Sequence, residues 1–374
     1  MTNRKLKIAF VKQDVYQDLY VCPVSEKDPA AILFSSMGRV GPIALMSDLG
    51  ADFYIVEDDP RDKETKVYKK VIPHLSKYFP MLKTQTLDKI PGQEFKCPGS
   101  PYPNGKFAVS SYAVDWSQYD IVIGVNVPLS IRLVQSAPQT LFAYMIGEAN
   151  MCTNAVRFGY DVSLNQMARG IVAEHCGVVD FPYTFVDATT LEDILKAHLG
   201  RPSRREGVFM EINSTQERPV TKVPPHFLPL EQAGQRIILH RQKIEDNLTA
   251  IYDSKYFVKM GGRTIRGNSV AEAVSLGSLA IMDKDQVIHK ELIIDECDVK
   301  TMDDVVALVN RLEQDDAEYR RLVEKQRAVL HHYFFEAPVQ SLVNCLEDKR
   351  RQGHCRPYGW WDRMIDRVKV FSWR

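Results

Sequence analysis

Short apolar runs alternate with helix-like stretches twice along this chain, and that rhythm limits the fold more than any other feature. Leu6–Lys12 (LKIAFVK) is an apolar run that ends in polar Gln13-Asp14, as a buried parallel strand does. Gly41–Leu49 reads as a helix opened by Gly-Pro, and Phe53–Val56 (FYIV) reads as a second strand. Residues 58–95 are charged and helical in pattern, whereas Lys96–Lys106 (KCPGSPYPNGK) reads as a loop. Tyr119–Val125 and Thr140–Met145 read as further buried strands. Asp187–Leu199 reads as a helix with Thr189-Thr190 as its capping region. The polar stretch Gly200–Gly207 (GRPSRREG) breaks the pattern and marks a domain boundary.

The rhythm then resumes. Val208–Ile212, Arg236–His240, Tyr256–Met260 and Leu279–Met282 read as strands. Val270–Leu276, Met302–Leu312, Ala317–His331 and a tail from Val339 onwards read as helices. The expected architecture is α/β, with two Rossmann-like doubly wound domains facing a cleft and a C-terminal helix returning to the first domain. The expected bounds are 1–200, 201–340 and a helical tail 341–374. A chain of 374 residues suits two domains.

Composition narrows the classes further. Lys+Arg and Asp+Glu number 48 each, so no bulk charge draws the whole chain to nucleic acid or membrane. No apolar run reaches the ~18–20 residues of a membrane span. The N-terminal segment reads as a first strand and not as a signal peptide. Seven widely spaced cysteines without a C-x-x-C argue against a disulfide framework or a zinc site and fit a reducing cytoplasm.

The most informative stretch is Asp253–Asp283, which reads strand, Gly-rich turn, helix, glycine link, strand. Gly261-Gly262 lets the backbone leave the strand tightly, and Asn268-Ser269 suits the N-cap of a helix starting near Val270. Such a helix start presents unpaired N–H groups and about half a positive charge, which suits phosphate. Arg263 and Arg266 add full charges in the same turn, and Glu272, expected in the first helical turn, is suited to accept hydrogen bonds from a ribose. These features together describe a nucleotide-sugar site. The same features also suit a surface loop with a capped helix.

The pattern YFVK, a polar Gly-rich loop, then S-x-x-E-A-x-x-x-G-S-L-A-I resembles the donor-binding element of GT-B glycosyltransferases. It is similar both to exostosin-type transferases and to phage DNA glucosyltransferases. The resemblance implies that Glu272 binds the donor ribose and that Gly262, Asn268, Ser269 and Val270 line the diphosphate. Relatives usually carry Arg three residues before the Glu. Ser269 stands there in this chain, and Arg266 lies one turn earlier. Many retaining members have a second Glu eight residues upstream, where this chain has Thr264.

Other candidates follow strands. Ser214, Thr215 and Arg218, after Val208–Ile212, are placed to contact a diphosphate, and His240-Arg241 ends the next strand at the same edge. An acceptor hydroxyl needs a base, and Asp14 and Glu148 are the preferred first-domain candidates over Asp18 and Glu57-Asp58-Asp59. If configuration is retained, the donor phosphate serves instead. Arg39, before the first helix, suits contact with a donor phosphate or an anionic acceptor, or a plain helix-entry role. The expected donor is a nucleotide-diphosphate sugar handled without a required metal or other cofactor.

The tail Lys349–Arg374 holds eight Lys/Arg against two Asp, with Trp360, Trp361 and Trp373. That composition suits peripheral contact with an anionic membrane surface, a closing helix packed on the first domain, or nucleic acid. The expected activity is a cytoplasmic glycosyltransferase using a glycan, lipid-linked or other hydroxyl acceptor in bacterial surface polysaccharide or glycoconjugate synthesis. The rivals are a phage-type DNA glycosyltransferase acting on a modified base, an epimerase on the same architecture, and a non-catalytic sugar-nucleotide binding protein.

Overall fold

The computed structural model describes residues 6–13, 49, 51–56, 93–94, 105–108, 111–125, 128–145, 155, 158–165, 177–180, 188–212, 220–240, 244–262, 264–265 and 268–352. These fall into two compact units. The first is built on strands β1 (Ile8–Gln13), β2 (Asp52–Val56), β3 (Gln93–Glu94), β4 (Gly105–Ala108), β5 (Ile121–Val125), β6 (Leu141–Met145), β7 (Val162–Asn165) and β8 (Gly177–Asp180). They form one sheet in the order β3-β4-β2-β1-β5-β6-β7-β8, parallel except for the β3–β4 pair.

All five residues of β6 are buried, as expected of a parallel strand covered on both faces. Helix α1 (Ile131–Ser136) links β5 to β6, and its N-cap Ser130 accepts a hydrogen bond from the Leu133 amide. Successive strands leave β1 in opposite directions, through β2 on one side and β5 on the other. The carboxyl ends of β1 and β5 are therefore the switch point at which open α/β sheets bind ligands.

The second unit begins with α2 (Thr190–Leu199). Next come β9 (Val208–Met210), α3 (Leu228–Gln232), β10 (Ile237–Ile238), α4 (Ile244–Asp253), β11 (Tyr256–Lys259), α5 (Asn268–Ser275) and β12 (Leu279–Met282). It ends with α6 (Met302–Gln314) and α7 (Asp316–His331). Its sheet is wholly parallel, in the order β10-β9-β11-β12. Thr301 and Asp304 form a capping box at the start of α6. Phe209 and Phe257 stack in register at the centre of the sheet, 5.7 Å apart.

After α7, a π-helical turn over His332–Glu336 leads into α8 (Ala337–Gln352), which returns to the first unit and packs on β6 and β8. There Lys349 reaches Asp161 and Arg350 reaches Asp120.

Both units are thus α/β with parallel sheets, but several local expectations are corrected. Gly105 and Lys106, the end of the stretch that reads as loop, open the strand Gly105–Ala108, and Gln93–Glu94 pairs with it although the region reads as helical. β7 and β8 are short runs broken by polar Ser163, Asn165 and Asp180, so they lack a clear apolar signal. Thr189 occupies the cap position of α2 but makes no side-chain cap bond. Helix α2, which the sequence reading places in the first domain, packs on α4 and α5 of the second unit. Its Glu192 accepts from Arg205 at 2.5 Å and also pairs with Arg327 on α7.

Candidate functional site

β11 is buried along its whole length, and its sheet neighbours fix where it ends. Beyond it Gly261 and Gly262 both take φ of 73°, a left-handed conformation that residues with a Cβ rarely adopt. The chain then forms a short parallel bridge between Ile265 and Val287. The Ile265 amide donates to the Gln286 carbonyl at 2.8 Å, and the Ile288 amide donates to the Ile265 carbonyl at 3.0 Å. Helix α5 opens three residues after Ile265.

That helix starts at Asn268, earlier than the sequence suggests. Asn268 and Ser269 are therefore first-turn residues and not caps, and Glu272 falls in the second turn. In a helix that starts at Asn268, the amides of Asn268, Ser269 and Val270 have no acceptor within the helix, and a helix start of this kind favours an anion. Val270 is fully buried as a residue, main chain included, whereas Asn268 and Ser269 before it are half-buried. Glu272 is half-buried on the same helix.

β9 and β11 are adjacent, and the connections leave them in opposite directions, to β10 on one side and β12 on the other. Their carboxyl ends are the switch point of this sheet. Three buried polar side chains gather there. Glu211 follows β9, His240 lies two residues beyond β10, and Lys259 ends β11. The Glu211 amide donates to the Val258 carbonyl at 2.9 Å, which sets Glu211 beside Lys259. Glu211 Oε1 lies 3.9 Å from His240 Nε2 and accepts from the Ile212 amide at 3.1 Å. Asn247 of α4 lies 3.3 Å from His240 Nε2. Lys259 Nζ donates to the Gly261 carbonyl at 2.6 Å and to Gln286 Oε1 at 3.3 Å.

One loop-helix element thus carries Gly262, Asn268, Ser269, Val270 and Glu272. The proposed phosphate ligands Ser214, Thr215, Arg218, Arg263 and Arg266 lie outside the described residues, as do Arg39, Arg241 and the base candidates Asp14 and Glu148. Glu211 and Lys259 were not singled out by sequence. The signal that could have found them is a charged residue closing an apolar strand, VFME and YFVK, where a polar turn is the usual continuation.

No protein-family model matches the chain. Elongation factor 4 of Desulfitobacterium hafniense (strain DSM 10664 / DCB-2) is 26% identical over 157 residues, which is 41% of this chain and 23% of that protein. Among solved structures, sucrose-phosphate synthase from Thermosynechococcus elongatus aligns over 93% of this chain and 98% of its own, at 12% identity and a TM-score of 0.37. T4 phage BGT in complex with UDP-glucose aligns over 93% and 99%, at 12% identity and a TM-score of 0.38. The UDP-forming α,α-trehalose-phosphate synthase from Burkholderia vietnamiensis aligns over 92% and 97%, at 11% identity and a TM-score of 0.43. A glycosyltransferase from Rickettsia africae aligns over 93% of this chain and 99% of its own, at 11% identity and a TM-score of 0.39. T4 phage BGT has also been solved with UDP and Mn2+. Among the described residues of the present chain, no helix is long and apolar enough to cross a membrane, and no three His, Cys, Asp or Glu side chains gather as a metal site.

Proposed function

We propose that the chain is a glycosyltransferase that moves a sugar from a nucleotide-diphosphate sugar to an acceptor hydroxyl. The observation that carries this reading is one continuous element at the switch point of the second sheet. A left-handed Gly261-Gly262 turn precedes the first turn of α5, with half-buried Asn268 and Ser269 at its start and the Glu272 carboxylate one turn further on. The amides suit a diphosphate and the carboxylate suits the ribose hydroxyls.

In the reaction, the bond between the anomeric carbon and the phosphate oxygen breaks and the acceptor oxygen bonds to that carbon. Negative charge grows on the departing diphosphate. The α5 amides, with Arg218, Ser214, Arg263 and Arg266, are assigned to stabilise it by preorganised charge. The acceptor proton goes to Asp14 or Glu148, or to the donor phosphate if configuration is retained. This reading assigns the phosphate charge to arginines and amides and calls for no metal, so turnover should survive EDTA.

We assign the acceptor to surface polysaccharide or glycoconjugate synthesis at the cytoplasmic face, with the basic, Trp-bearing segment 349–374 holding the enzyme near lipid-linked substrate. The test is thermal unfolding with UDP, GDP, CMP, ADP and dTDP. One diphosphate should raise the midpoint by a few degrees through linkage. Its sugar conjugate should then be hydrolysed slowly without acceptor. No stabilisation by any nucleotide removes the donor assignment. Binding without turnover on any acceptor favours a non-catalytic role, and salt-sensitive binding of duplex DNA favours a DNA acceptor.

A further inference from the structure

We propose that Lys259 is a positioning residue, the post on which the donor-binding loop is built. The inference rests on the donor reading of α5 given above. Lys259 is fully buried, and an ammonium group is held in such a place only when its N–H donors are used. Here the acceptors are not in the strand's own ladder. One is the Gly261 carbonyl, at 2.6 Å, in the left-handed turn itself. Another is Gln286 Oε1, at 3.3 Å, on the segment whose backbone holds Ile265. A single cation therefore ties the start of the loop to the segment that anchors its far side. Glu211, also buried, follows the adjacent strand at the register position next to Lys259.

The arrangement holds Gly261 and the segment paired with Ile265 in place before any ligand arrives. Preorganisation of this kind lowers the ordering cost of binding. Two consecutive left-handed glycines are flexible in isolation, and Lys259 supplies the restraint their sequence lacks.

The test is amide hydrogen exchange without nucleotide, on wild type and Lys259→Met. Exchange at Gly262, Thr264, Ile265 and Asn268–Ala271 should rise about tenfold in the variant, with Val208–Met210 and Leu279–Met282 unchanged. Unchanged exchange in the loop, or equal acceleration across the sheet, overturns the proposal. If Lys259→Met does not fold, Gln286→Leu removes one acceptor from a half-buried site, and about threefold faster loop exchange is expected. Unchanged exchange there overturns the proposal equally.

A second arm measures Kd for the nucleoside diphosphate that stabilises wild type. Lys259→Met should weaken it about tenfold. If wild type binds none of the five nucleotides yet the loop loosens in the variant, the donor reading fails and the loop-holding role stands. If the nucleotide binds both proteins equally and the loop exchange is unchanged, the positioning role fails and the donor reading stands.

Discussion

Lys349 Nζ donates to Asp161 Oδ2 at 2.7 Å, joining side chains 188 positions apart within the first unit. The same ammonium donates to the Thr140 carbonyl at 2.7 Å, and Asp161 also accepts from the Phe142 amide at 2.9 Å. Arg350 adds a pair with Asp120, which in turn accepts from the Lys7 amide at 2.8 Å. Helix α8 is thereby pinned to the amino-terminal ends of β1, β5 and β6, the edge opposite the switch point. These contacts give the start of the basic tail a structural role, because Lys349 is buried and the exposed Arg350 pairs with buried Asp120. Lys349→Met should destabilise the first unit by about 3 kcal/mol, since Asp161 would be left part-buried without its cation. Asp161→Asn in the same chain should recover part of the loss. Urea unfolding of the single and double variants measures both.

Gly207 precedes β9 with φ of 74°, and a Cβ built there would meet the Arg236 carbonyl oxygen at 2.5 Å. That oxygen accepts from the Val208 amide, while the Gly207 carbonyl accepts from Lys255 and Tyr256. The glycine thus lets three strands of the second sheet start in register. Gly207→Ala should cost more than the ~1 kcal/mol of backbone strain alone, because the clash is with fixed main chain. Gly200→Ala is the comparison, since a Cβ there meets nothing within 4 Å despite φ of 63°. It should cost about 1 kcal/mol. Chemical denaturation of the two variants separates strain from collision.

Much of the architecture was readable because parallel strands buried on both faces must be apolar runs. LAIM at Leu279–Met282 and LFAYM at Leu141–Met145 are of this kind. What escaped the sequence was set by distant partners. Gly105–Ala108 is a strand because it pairs with β2, and its own residues carry turn chemistry. The start of α5 was misplaced because Asn and Ser are good caps, yet here the chain turns helical at Asn268 itself. Of the candidate site, the glycine turn and the helix that carries Glu272 were legible as local pattern. The buried charges Glu211 and Lys259 were not, because burial of a charge is decided by neighbouring strands.

Asp253 at the end of α4 takes both ends of the Arg201 guanidinium, at 2.7 and 2.6 Å, and accepts from the Arg204 amide at 3.2 Å. Burial by itself would raise this carboxyl. The Arg201 hydrogen bonds and the Arg204 amide outweigh it and hold the group below its ordinary 3.8. A carboxylate depressed in the native state contributes stability above its ordinary value and loses it as pH falls through the native value. The stability gap between wild type and Arg201→Ala should therefore be full near about pH 6 and shrink below about pH 4. Urea midpoints across that range give the answer, and a gap independent of pH would remove the pair from the account.

Cys297 sits in a short 3-10 turn and is fully buried, and burial pushes its thiol up to about 12. A thiol so placed is neither ionised nor reachable at neutral pH. It should resist iodoacetamide in the native protein and react only on unfolding. Peptide mapping after brief labelling at about pH 8, with and without urea, reads the difference directly. Native labelling of Cys297 would mean that the turn opens far below the global unfolding threshold.

Glu272 offers the sharpest chemical test of the donor site, because the substrate can be edited along with the protein. A carboxylate accepting from ribose hydroxyls loses one charge-assisted hydrogen bond when the 2′-hydroxyl is absent, a loss of about 1.5–3 kcal/mol. Wild type should therefore bind the stabilising ribonucleoside diphosphate about 10- to 100-fold more tightly than its 2′-deoxy form. Glu272→Ala should bind the ribonucleotide that much more weakly and lose the preference between the two forms. The side chain is only half-buried on α5, so the unfolding midpoint of the free protein should barely move. Calorimetric titration of both nucleotides into both proteins closes a cycle in which the coupling term isolates the contact. An undiminished 2′-hydroxyl preference in the variant would take Glu272 out of the ribose site and leave the α5 amides to be tested with the diphosphate alone.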